Sequence, residues 1–153
     1  MPELIPDPSL SRVREVMNVT AHEPPLDISI LEETERRLGV AFPDWLRVFY
    51  LSCNGFKGPT GVRYLYPLDG RDGVLCFTEF VREEWGLDWL QRAIIFSDNG
   101  LGGSVTVHWC ALDGKLIEWC YGDEGEYTVL DLDLLTLWAR EQKNWSSIDV
   151  GQR

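Results

Sequence analysis

Residues 28–55 constrain this chain more than any other stretch. Ser29-x-x-Glu32 reads as a capping box, in which a hydroxyl and a carboxylate each satisfy an orphan amide of a first helical turn. Ile30, Leu31, Thr34 and Leu38 recur at helical spacing, and Gly39 falls where a left-handed helix stop belongs. Phe42-Pro43-Asp44 then starts a second helix, with Pro43 at a position that needs no amide donor. Trp45, Leu46, Phe49, Tyr50 and Cys53 form a single apolar stripe, and Asn54-Gly55 ends it. A joint of about three residues predicts a tight helical hairpin.

Upstream, Pro2, Pro6 and Pro8 make residues 1–8 an irregular arm. Ser9 or Ser11 is placed to cap a short helix reaching about residue 18, and His22-Glu23-Pro24-Pro25 reads as a loop. Downstream, residues 56–76 are rich in Gly and Pro, with β-prone pieces at 62–66 and 74–77. Residues 78–92 read as a helix with Phe80, Val81 and Trp85 inward, interrupted near Gly86. The period then changes to two. Residues 93–96 form a short buried strand, and Asp98-Asn99-Gly100 turns. Residues 104–110 alternate, with Val105, Val107 and Trp109 on one face. Asp113-Gly114 is a hairpin signal leading into residues 115–121, where Ile117, Trp119 and Tyr121 alternate. A turn at 122–125 precedes a strand over 126–130. Asp131 or Asp133 caps a last helix with Leu134, Leu135, Leu137 and Trp138 on its apolar face.

Helices first, a meander next and a closing helix make an α+β fold: a single domain whose N-terminal helical hairpin packs on a central antiparallel sheet. The expected division is an arm with a short helix over 1–27, the domain over 28–143 and a frayed tail over 144–153.

With 44% hydrophobic and 12% aromatic residues, a chain of 153 fills a core without metals or disulfides. No apolar run approaches the roughly 18 residues of a membrane span. The opening Met1-Pro2-Glu3-Leu4 lacks the basic and apolar regions of a signal peptide, which predicts a cytoplasmic, reducing setting. Cys53, Cys76, Cys110 and Cys120 contain no Cys-x-x-Cys pair and are expected to be buried thiols. No cofactor or metal motif is present. Gly100-Leu101-Gly102-Gly103 leads into a strand, whereas a phosphate loop opens a helix. His108 and Cys110 share a strand face at i, i+2, the less apolar one, but show no orienting third group.

The charge is more informative. Twenty-five acidic and fourteen basic residues give −11, which argues against nucleic acid or anionic lipid as a partner. Over residues 113–133, seven acidic residues face one lysine, a net −6. Two explanations stand: a solvated edge that blocks strand-to-strand aggregation, or steering of a basic protein partner. On the second, Glu118, Asp123, Glu124 and Glu126 are the candidate contact residues, with Asp98 at the neighbouring turn. Trp89, just beyond the helix-breaking Gly86, and Trp145 in the tail are candidate exposed aromatics. An exposed aromatic beside carboxylates makes a binding hot spot.

Residues 30–55, from Ile30-Leu31-Glu32-Glu33 through Leu38-Gly39, Phe42-Pro43-Asp44-Trp45 and Phe49-Tyr50 to Asn54-Gly55, resemble the opening of the SUKH superfamily. That group includes the yeast cell-wall assembly regulator and many bacterial immunity proteins. Glu32 or Glu33 matches the acid of its first helix. A second block over 94–107 is similar to the family's Asp-Gly-rich turn and strand, with Asp98, Gly102 and Gly103 matching and Ser104 standing where Asp is common. Leu134 and Trp138 fit its closing helix. The resemblance covers most of residues 28–140. It implies an α+β fold with a central antiparallel sheet, and binding rather than catalysis. In bacteria it implies an immunity protein that neutralises a toxin, often a nuclease. The alternative it implies is a regulatory or scaffold interaction module of the yeast type.

Overall fold

The computed structural model describes residues 21–22, 24–57, 63–100, 106–120 and 125–151. The expected helix over 9–18, the Gly102-Gly103-Ser104 turn, Val105 and Tyr121 lie outside them. The helices are α1 (Ile28–Leu38), α2 (Asp44–Tyr50), α3 (Val74–Trp85) and α4 (Leu134–Gly151), with a 3₁₀ turn at Asp88–Arg92. Strands β1 (Ala21–His22), β2 (Phe56–Lys57) and β3 (Arg63–Leu65) form one antiparallel sheet. Strands β4 (Ala93–Asp98), β5 (Val107–Leu112), β6 (Lys115–Cys120) and β7 (Tyr127–Val129) form a second, in chain order. The Tyr66 amide donates to the Phe96 carbonyl at 2.9 Å and links the two sheets. The α+β architecture is as the sequence predicts. The small sheet that places His22 in a strand is an addition.

The cap of α1 is one correction. Asp27, not Ser29, is the cap residue, and its Oδ1 accepts from the Ser29 amide at 3.0 Å. Ser29 lies inside the helix, and so the stripe is Leu31, Thr34 and Leu38, with Ile30 exposed. Gly39 has φ 73° and ends the helix as expected. Asp27→Ala is therefore expected to lower the melting temperature by a few degrees in a thermal scan, while Ser29→Ala leaves it nearly unchanged. Equal effects would return the cap to Ser29.

Pro43 caps α2 rather than opening it; its carbonyl accepts from the Leu46 and Arg47 amides. Glu35 holds the two helices together. Its carboxylate accepts from the Phe42 amide at 2.7 Å and the Arg47 guanidinium at 2.9 Å. Asn54 is buried, and its side chain bonds the Leu68 amide and Asp69. Gly55, at φ 98°, lies so close to the 65–67 backbone that a Cβ would sit 2.7 Å from the Leu65 carbonyl.

The β-prone run over 74–77 is the first turn of α3. Val74, Thr78 and Val81 are its buried residues, a helical period that a short apolar run conceals. Phe80 and Trp85, expected inward, are exposed at 56% and 39%. Gly86, at φ 61°, ends the helix. Arg82 points inward and donates to the carbonyls of Leu90 (2.8 Å), Leu38 (2.9 Å) and Ala93 (3.0 Å). One guanidinium fork thus ties α1, the 3₁₀ turn and β4 together, and no sequence signal marks it.

In the four-stranded sheet β7 is exposed, whereas β4 and β5 are covered on both faces. On one, Phe77 packs on His108 and Trp85 on Trp119, while the Thr78 hydroxyl accepts from the Ile95 amide at 3.1 Å. On the other, Trp45 meets Phe96, and the Trp138 indole donates to Ser97. Trp138 also meets Phe49 and Phe56 edge-on at 5.1 and 4.9 Å. Asp113 and Gly114 both have positive φ, as the two-residue hairpin requires. Asp133 caps α4 by accepting from the Thr136 amide at 2.8 Å. Helical backbone continues through 144–151, where a tail was expected.

Candidate functional site

Pairing brings the end of β4, the start of β5, the end of β6 and the start of β7 to one end of the sheet. Asp98, His108, Trp119 and Tyr127 form a cross-strand row on the α3 face. Trp109, Glu118 and Thr128 form the neighbouring row on the opposite face. Asp98 and Glu118 therefore do not share a surface. Asp98 accepts from the Tyr66 hydroxyl and, through Oδ1, from the Gly100 amide at 2.6 Å. Glu118 accepts from the Trp109 indole at 3.1 Å. Glu126 is exposed at the mouth of β7. Asp123 and Glu124 lie outside the described residues.

His108 is buried, not on an open face, because α3 covers that side. Its Nδ1 is 3.4 Å from the Tyr66 hydroxyl. Burial pushes the imidazole down to about 4, against the opposing pull of the Asp98 carboxylate. Burial likewise pushes the Cys110 thiol up, so it stays protonated at neutral pH. Both side chains are sealed, at 2% and 0% exposure, which gives a substrate no approach to the pair. Of the other cysteines, Cys53 is buried, Cys120 partly so, and Cys76 is exposed, which corrects the expectation of buried thiols throughout. Among the described residues, no cluster of three His, Cys, Asp or Glu side chains is arranged to hold a metal ion. No described helix is long and apolar enough to cross a membrane.

The exposed chemistry lies at the other edge of the row. The Trp89 indole donates to the Gly125 carbonyl at 2.8 Å and fastens the 3₁₀ turn to the start of β7. Gly125 has φ 91°, a conformation that favours glycine, and a Cβ there would push aside the Leu87 side chain. Trp89 stacks obliquely on Tyr127 at 4.8 Å, and both Trp89 and Trp85 meet buried Trp119 edge-on at 5.6 Å. Trp85 and Tyr127 are each 39% exposed. Glu83, Glu84, Asp88 and Glu126 are exposed beside these rings in the chain. Trp89, expected exposed beyond a helix break, is half-buried, Trp85, expected inward, is exposed, and Tyr127 carries no sequence signal of its own. Trp145 lies in helical backbone, among residues whose side chains are not described.

A comparison with curated proteins finds no match. The model of the SMI1 / KNR4 family (SUKH-1) matches residues 25–137, which span both helices of the hairpin, α3, strands β2 to β7 and the first turn of α4. The chain therefore belongs to the SMI1 / KNR4 family, SUKH-1.

Proposed function

We propose that this chain is a cytoplasmic immunity protein that neutralises a basic, nuclease-type toxin by binding it, without catalysis. Family membership supports a protein-interaction or immunity-type role. The observation that carries the reading further is the acidic surplus, −11 overall and −6 over residues 113–133, together with the exposure of Glu126. Like charges as close in the chain as Asp123, Glu124 and Glu126 repel one another and contribute nothing to folding. They raise the rate at which a cationic surface arrives. Glu126, with Asp123 and Glu124 beside it in sequence, forms the contact centre. Asp98 and Glu118 already hold internal hydrogen bonds and add to the field more than to the contact.

The test is association with the product of any toxin-like reading frame adjacent to the gene, followed by stopped flow at low and high salt. The triple variant Asp123→Lys, Glu124→Lys, Glu126→Lys is expected to associate at least about tenfold more slowly at low salt, with the gap closing at high salt and the melting temperature nearly unchanged. Unaltered association kinetics would remove the site. Capture of host regulatory proteins in place of a toxin would move the chain to the regulatory branch of the resemblance.

A further inference from the structure

We infer that the Trp85–Trp89–Tyr127 ledge is an arginine-binding surface, on which a guanidinium of the protein partner lies against the rings while flanking carboxylates take its charge. The inference rests on the proposed binding of a basic protein and names the surface that supplies its specificity.

The rings are held in place. Trp89 is fixed by its bond to Gly125, and Trp119 is buried beneath Trp85 and Trp89. A partner side chain therefore meets an aromatic surface that loses little freedom on binding. Large rings left 39% open on a surface this acidic are not explained by packing, since burying them would stabilise the fold. The rim sets the chemistry of the occupant. Asp88, beside Trp89 in the chain, and Glu126, beside Tyr127, are exposed, and Arg92, whose charge reaches Tyr127 and Asp88, is already paired with Asp113 at 3.1 Å. Aromatic faces attract cations, and a planar guanidinium can stack and donate to a carboxylate at once, which an ammonium cannot. Asp98 stands roughly 14 Å away at the far edge of the row, so it takes no part.

The experiment uses octa-arginine and octa-lysine peptides, titrated against the full chain by calorimetry at about 50 mM and 150 mM salt. Octa-arginine is expected to bind more tightly than octa-lysine. Trp85→Ala and Tyr127→Ala should each weaken octa-arginine binding about three- to tenfold with net charge unchanged. Tyr127→Phe should retain most of it, which separates a lost ring from a lost fold. Equal affinity of wild type and both alanine variants would overturn the ledge while leaving the acidic surface in place. Equal affinity for the two peptides would overturn the guanidinium. Failure of the wild type to bind either peptide at low salt would overturn the ledge and the acidic-surface reading together.

Discussion

Trp138→Ala is expected to destabilise the protein by about 3–5 kcal/mol in urea unfolding, the range for deleting a fully buried tryptophan. Trp138 is the point where separate parts of the chain meet. It touches Phe49 of α2 and Phe56 of β2 edge-on and donates to Ser97 of β4. Truncation opens a cavity among rings that are themselves anchored, so the site collapses poorly. It also leaves the buried Ser97 hydroxyl without this donor. Since a domain of this size is stable by only about 5–15 kcal/mol, the variant should sit near its unfolding threshold at 37 °C. Trp138→Phe keeps the ring and is expected to recover a substantial share. A loss below about 1 kcal/mol for alanine would show that α4 is not a structural part of the core.

The second large effect is a dependence on pH. The His108 imidazole titrates near 4 in the folded protein against an ordinary 6.5. Between those values the unfolded chain takes up a proton that the folded chain refuses. The resulting stabilisation is complete above pH 6.5 and lost as pH falls toward 4. It amounts to about 3 kcal/mol. Asp98 and Tyr66 face the ring, and the Asp98 charge moderates the shift without reversing it. His108→Gln keeps a polar side chain but does not titrate. The difference in stability between variant and wild type should therefore change by about 3 kcal/mol from pH 7 to pH 4, in the direction that favours the variant at low pH. Parallel curves across that window would mean that the imidazole protonates in place.

The meander was legible because its turns have chemistry. Asp113-Gly114 specifies positive φ twice, and the alternation of Ile117 and Trp119 fixes the side facing α3. What the sequence concealed was that β4 and β5 have no wet face. Alternation marks a strand only when one side meets water, so His108 and Cys110 read as the less apolar face although α3 buries both. Helix starts were placed a residue or two off, because Asp27 and Ser29 are both competent caps and only geometry chooses between them. The run over 74–77 misled because four apolar residues fit either period. Arg82 was invisible, since nothing local distinguishes a guanidinium that bonds three carbonyls from one in water. Of the acidic residues, the sequence could show that they cluster but not that Asp98 and Glu118 turn to opposite faces. That separation follows from the pairing of His108 with Asp98 and of Trp109 with Glu118.

The chain-order meander has a kinetic consequence. Each of its pairings closes over a short connection, so little loop entropy opposes it, and β4 to β7 can assemble while the rest of the chain is still open. The meeting of Trp138 with Phe49 and Phe56 spans far more of the chain, and is expected to form in the last stage. Contacts absent from the transition state alter unfolding rather than folding. In a chevron plot, Trp138→Ala should therefore raise the unfolding limb and leave the refolding limb almost in place. The closing helix would then set how long the native state survives, and the meander how quickly it is reached.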